Sequence, residues 1–208
     1  DPGSADLTAV LLEAVATGAD TMLVSLPANL GAAFLKVAEE QGLRDQFHWI
    51  APTPLYKKGL PEALGDYWSG KVYINVELTP WDWDGPDAKR WLEVMDEYGR
   101  DEDPRDTFSQ GGFVSANILV DTLMKMDPAD INRATVTKAL MDVKDYRTDL
   151  LCGPWYFGEA DKHRPNHAGV QMVINADGFE VVEKCFEAKG GMFDDIIAME
   201  KEQGLVGN

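Results

Sequence analysis

The sequence predicts an α/β protein built on a parallel sheet. Three observations carry this. Residues 6 to 52 run helix, strand, helix, strand, the order of a βαβ unit. The strand candidates there are short apolar runs of the kind a buried parallel sheet uses. A further alternating run rich in β-branched residues, "GKVYINVEL" at 70–78, adds a third strand.

In order, Leu7, Val10, Leu11 and Val15 share one helical face over residues 6–17, with Ser4 or Asp6 available as cap. Met22, Leu23 and Val24 form a run too short for an independent helix and read as a fully buried strand. Pro27 breaks the pattern. A second helix then runs through Leu30, Phe34, Val37 and Ala38, with Asn29 as cap and Gly42 as stop. The apolar centre of "FHWIAPT" is the next parallel strand. After the strand at 70–78, "PWDWDGP" has the Pro, Gly and Asp content of a connector between two structural units.

Beyond the connector, Trp91, Leu92, Met95 and Tyr98 lie at helical spacing, and "GGFVSANILVDTLMKM" is a longer, more buried helix ended by Asp127 and Pro128. Another helix follows through Leu140 with Asp130 as cap, and "GVQMVINADGFEVVEK" reads as a β-hairpin turning at Ala-Asp-Gly. The charged end, "DDIIAMEKEQGLVGN", reads as a short helix and a loose end.

Composition bounds function. With 208 residues, 45% of them hydrophobic, the chain can bury a core, and no apolar run approaches the roughly 20 residues of a membrane helix. A formal net charge of −17 repels phosphate backbones and anionic lipid, so nucleic acid is excluded as a partner. The first residues carry no basic n-region and no h-region, so a signal peptide is either absent or already removed.

Rival chemistries are weakly supported. His163 and His167 in "HRPNH" stand four apart, but Pro165 prevents the helix that would bring them onto one face. Asp82, Asp84 and Asp87 cluster without the remaining ligands of a calcium loop. There is no G-x-S-x-G, no phosphate-cradling glycine loop and no cysteine with an evident base, so the sequence points to no reaction, cofactor or metal. Cys152 and Cys185 are compatible with one bridge or with two separate buried thiols, because sequence does not supply their Cα separation.

The whole succession resembles the type I periplasmic binding protein family, in particular the branched-chain amino acid (leucine/isoleucine/valine) type of ABC-transporter solute receptor. The resemblance rests on "SADLTAVLLEAVATGADTMLVSL", "AAFLKVAEEQGL", the "FHWIAPT" strand, "FSQGGFVSANILVDTLMKM" and "GPWYFGEADKHRPNHAGVQMVINADGFEVV". Their order and spacing carry it, since a lone helix-strand-helix fits many α/β folds. It implies a two-lobed fold, each lobe a parallel sheet in three α/β/α layers, of which this sequence is the C-terminal portion and so incomplete: residues 1–80 with 168–186 in the ligand-binding lobe two, 86–155 crossing back to complete lobe one, and 187–208 as tail. It further implies a periplasmic, non-enzymatic receptor whose partners are a small-molecule solute, an ABC permease in the membrane, and either the missing N-terminal lobe or a second copy. A ligand-sensing domain of a receptor or regulator is the alternative, because the same fold serves there.

Carried over to this sequence, the resemblance places the solute against the loops after the lobe-two strands: Ser25, Leu26 and Pro27, then Thr53, Pro54 and Tyr56. Ser25 and Thr53 offer hydroxyls, and Leu26, Pro54 and Tyr56 an apolar wall. Phe108 and Gln110 lie near the crossover, as do Trp81 and Trp83, whose commoner use is hinge packing. The family's amino-acid binders have an acid where Thr53 stands. The ligand is therefore expected to lack an α-amino group, or Asp82 or Asp84 substitutes. An aromatic or aliphatic carboxylate or a neutral amide fits that wall better than a free branched-chain amino acid.

Overall fold

The structure, a computed structural model, describes residues 6–157 and 168–205. His163 and His167 lie outside the described residues. Helix α1 (Leu7–Ala16) is capped by Asp6, whose carboxylate accepts the N–H groups of Thr8 and Ala9, both at 3.1 Å. Leu11 is buried but Val10 is exposed, so the apolar stripe of α1 is only partly covered.

Strand β1 (Thr21–Leu23) differs from the expected buried strand: Leu23 is 63% exposed. The sheet order is β1-β2-β3-β4-β5, and β1 is its outermost strand, with a neighbour on one side only. Helix α2 (Ala28–Glu40) starts directly behind Pro27, and Asn29 sits inside its first turn instead of capping it. Proline's fixed φ already directs the chain into the helix, and the Pro27 carbonyl accepts the Gly31 N–H at 2.8 Å.

Strands β2 (His48–Pro52) and β3 (Val72–Val76) continue the sheet in parallel, with Leu23 opposite Ile50 and Pro52 opposite Asn75. Along β3 burial alternates as the sequence does, Val72, Ile74 and Val76 inward. Strands β4 (Ala168–Asn175) and β5 (Gly178–Glu187) form the hairpin around Ala176 and Asp177. Between β2 and β3 lies the short helix α3 (Leu60–Leu64).

The chain divides into two compact units, Asp1–Val76 with Gln171–Lys184, and Glu77–Val170 with Cys185–Asn208. The first is centred on Trp49, which packs edge-to-face on Phe34, Phe47 and Trp68 and donates its indole N–H to the Arg44 carbonyl at 2.9 Å. Arg44 turns its guanidinium to the carbonyls of Tyr67 and Ser69, joining the chain on either side of α3. Gly31 lets α2 approach the turn after β2: a Cβ there would lie 2.9 Å from the Leu55 side chain.

The second unit contains α4 (Pro86–Tyr98), α5 (Thr107–Leu123), α6 (Arg133–Met141) and α7 (Met192–Glu202). Its core gathers Leu78, Ala88, Trp91, Val114, Ile118 and Leu150, with Trp81 and Trp83 packed against it. Of the stripe expected on α4, Tyr98 is exposed, because it is the last residue of the helix. Helix α5 starts earlier than its apolar run because Asp106 and Ser109 form a capping box. Asn132, not Asp130, caps α6; Asp130 is held in a preceding 3-10 turn. Leu205, the last described residue, is buried and accepts the Asp145 N–H at 3.3 Å. Among the described residues, no helix is long and apolar enough to cross a membrane.

Candidate functional site

In the first unit, β1 and β2 run in parallel as neighbours, so the loops after them leave the same end of the sheet. Pairing continues one residue past β1, where Val24 donates to the Ile50 carbonyl at 2.8 Å. Ser25 and Pro27 are then exposed and Leu26 is half-buried. After β2 the chain tightens into a 3-10 turn, Thr53–Leu55, closed by the Tyr56 N–H on the Thr53 carbonyl at 2.8 Å. The structure thus brings the Ser25–Pro27 and Thr53–Tyr56 loops to one edge. Free backbone groups and the start of α2 also collect at such an edge.

The side chains within these loops differ in availability. The Thr53 hydroxyl is buried and directed at the Asn75 carbonyl, 3.4 Å away. Pro54 is half-buried, and Tyr56 is buried with its ring edge-on to Phe179 at 4.8 Å between centroids. Tyr56 therefore stiffens the loop from behind, and Ser25, Leu26 and Pro27 are the more accessible part of this edge.

In the second unit, Phe108 and Gln110 occupy the first turns of α5 two residues apart, hence on opposite sides of the helix. Phe108 is 58% exposed, whereas Gln110 is fully buried with neither amide atom hydrogen-bonded among the described residues. The Thr107 hydroxyl and the Trp91 indole N–H are likewise buried and without a hydrogen bond. Orphaned polar groups of this kind carry a free-energy cost and mark a position where water or another polar group fits.

The aspartates of the connector have local partners. Asp84 pairs with Lys89 at 2.5 Å, and that hydrogen bond holds its carboxyl below the usual carboxylate range. Asp87 accepts from the Thr148 hydroxyl at 2.7 Å and from the Asp149 N–H at 3.4 Å. Asp149 returns a bond, its Oδ1 accepting the Asp87 N–H at 3.0 Å, so a residue 62 positions away caps α4, whose own N-cap is Gly85. Burial, with the Asp87 charge second, pushes the Asp149 carboxyl above the ordinary range. No group of three or more potential metal ligands gathers among the described residues. The sequence gives no sign of Asp149 or of the Arg44 ties, since the paired "TD" at 148–149 does not reveal its distant partner; Gln110 is a candidate from sequence, but its burial without a hydrogen bond is not.

Cys152 and Cys185 are joined as a disulfide with a Cα separation of 4.8 Å, which settles the pairing left open by the sequence. The second unit also carries an apolar groove of about 610 Å³, lined by Leu78, Val114, Ile118, Leu119, Leu140 and Trp155 among others. Along the outer face of α5, Val120 and Met124 are exposed as well.

A mixed sheet whose parallel strands β1 and β2 end in loops holding hydroxyl and apolar side chains at one edge is the architecture of an α/β ligand-binding module. The family model described as periplasmic binding protein matches residues 1–179, and the chain belongs to that family. Solved structures share the fold. They include a branched-chain amino acid ABC transporter protein from Thermus thermophilus with bound valine, at 18% identity and a TM-score of 0.69, over 88% of this chain and 50% of that one. A fatty acid ABC transporter substrate-binding protein from Thermomonospora curvata gives 21% identity and 0.71, over 89% of this chain and 48% of that one. A leucine-binding protein from Thermotoga maritima gives 17% and 0.65, over 89% and 49%. The chain thus spans about half the length of these structures. No curated protein matches the sequence.

Proposed function

We propose that this chain is the C-terminal portion of an extracytoplasmic solute-binding protein of an ABC importer, located in the periplasm and performing no chemistry on its ligand. The observation that carries the reading is the periplasmic binding protein match over residues 1–179. The convergence of the Ser25–Pro27 and Thr53–Tyr56 loops at one sheet edge supports it. The solute is a small organic molecule, an amino acid or an aromatic or aliphatic carboxylate or amide. Thr53 offers no charge to a ligand ammonium, which favours the carboxylate or amide. Phe108, exposed in the first turn of α5, is a further candidate contact, whereas Gln110 is fully buried on the other side of that helix.

Residues 1–80 with 168–186 form lobe two, 86–155 complete lobe one, and 187–208 are the tail; the boundaries of the two compact units are in keeping with this division. Besides the solute and the membrane permease, the partner is an N-terminal lobe or a second copy. The apolar groove and the exposed outer face of α5 in the second unit support such a partner.

Native mass spectrometry of the purified chain, followed by calorimetry with leucine, benzoate and hexanamide, tests the reading. A retained small molecule, or heat with at least one probe, is expected. Ser25→Ala should then weaken binding by about 0.5 to 1.5 kcal/mol with the fold intact, whereas the buried Thr53 hydroxyl is engaged with the Asn75 carbonyl and its loss reads on folding. A folded chain that retains nothing and binds none of the three would overturn the proposal, and unchanged affinity in Ser25→Ala would remove that hydroxyl from the site.

A further inference from the structure

The chain passes between its two compact units three times, at Val76/Glu77, Val170/Gln171 and Lys184/Cys185. Two of these crossings meet one short stretch of the second unit, residues 148–152. Just past the first crossing, Leu78 forms an antiparallel bridge with Leu151. Thr79, almost fully buried, donates its N–H to the Leu150 carbonyl at 3.0 Å and its hydroxyl to the Asp149 carbonyl at 3.1 Å. At the third crossing, the first residue of the second unit is Cys185, bonded to Cys152.

The backbone at Cys185 is unusual. Its φ is +56°, in the left-handed region that side chains other than glycine rarely adopt, and it falls inside strand β5. A bend of that kind persists where its surroundings hold it, and the residue that bends is the one carrying the covalent tie. Both cysteines are half-buried and not sealed in the core.

We propose that the Cys152–Cys185 bridge is a redox-controlled clasp, which ties the third crossing to the stretch that already holds the first. Oxidised, it confines flexing of both crossings to the first-unit side of residues 78 and 185. A dithiol reductant breaks the S–S bond by supplying two electrons and two protons. Two protein thiols remain, and the reductant leaves as its own disulfide. The bend at Cys185 then relaxes and the third crossing is released, while the Thr79 hydrogen bonds keep the first in place. This inference does not depend on which solute is bound, or on whether one is.

Amide hydrogen exchange read by mass spectrometry tests it on the intact chain in three forms: oxidised, reduced with dithiothreitol, and the Cys152→Ser/Cys185→Ser double variant. The readout is the exchange rate of residues 185–187 relative to β2 in the same molecule, so that a general loss of stability, which moves both, cancels. Bridge loss should raise that ratio at least tenfold and change the ratio for the peptide holding Thr79 by less than threefold. An unchanged 185–187 ratio would overturn the clasp. So would a parallel rise at Thr79, or unfolding of both bridge-free forms, either of which makes the bridge a general staple.

Discussion

Substituting Gly85 by alanine tests whether α4 is capped from a distance. At φ −118° and ψ 160° the residue is extended, a conformation alanine adopts freely, so any cost is spatial. A Cβ on Gly85 would stand 1.3 Å from Asp149 Oδ2, 2.4 Å from its Cγ and 3.2 Å from its Cβ. The carboxylate must leave, and with it goes the 3.0 Å bond from the Asp87 N–H. Loss of a helix cap costs about 0.5–2 kcal/mol and loss of a hydrogen bond to a charged group about 1.5–3 kcal/mol. These describe the same contact, so they are not summed, and we expect Gly85→Ala to cost about 1–3 kcal/mol. In an Asp149→Ala background no contact closer than 3.2 Å, that to the residue 149 Cβ, remains, and a shift of a few tenths of an ångström relieves it. There the substitution should cost less than about 0.5 kcal/mol, a coupling well above the additivity error for independent sites. Urea unfolding followed by circular dichroism on the four proteins of the cycle measures this. Equal costs in both backgrounds would show that the carboxylate does not cap α4.

Asp149→Asn keeps an oxygen for the Asp87 N–H and removes the charge. Because burial and Asp87 raise the folded-state value of Asp149, the wild-type group contributes stability that is full below the unfolded carboxylate range and is lost as pH rises through the raised one. The variant should therefore gain on wild type as pH rises through that window in a series of melting temperatures; a gap that shrinks over the window contradicts the assignment. Tyr146 donates to Asp121 at 2.9 Å, and burial followed by that bond pushes its phenol up to about 12. In an ultraviolet titration, Tyr146→Phe should delete a tyrosinate step near pH 12, and persistence of the full amplitude there would reassign it. Arg44→Lys should cost about 1–2 kcal/mol in chemical denaturation, since one ammonium cannot reproduce a planar fork on the Tyr67 and Ser69 carbonyls with its face 5.6 Å from the Tyr67 ring. A neutral exchange would show that these ties are dispensable.

What was legible in the sequence depends on the range of the force that sets each feature. Strand β3 and the hairpin could be read because alternation and turn chemistry are local, and α1 found its cap because Asp6 lies next to the amides it satisfies. The same logic misplaced two caps. At Asn29 the stronger local influence was Pro27, and at Asp130 a 3-10 turn intervened, so both were errors among neighbouring residues that each had a plausible role. The burial of β1 was a different kind of error. An apolar run says that a segment can be covered, and whether it is covered depends on its place in the sheet order, which here is the outer edge. For the site, the positions of the two loops could be read, because parallel neighbours must open at the same edge, but the state of each side chain could not. Thr53 and Tyr56 looked as available as Ser25, and only packing against Asn75 and Phe179 separates them. Gln110 reverses the case. In sequence it is one polar residue in the first turns of a helix, and burial without a partner is what gives it weight, because an amide desolvated and unpaired needs something to meet it. The Ser25 loop is exposed, so a substitution there leaves packing in place, whereas one at the fully buried Gln110 alters the interior and reads on folding.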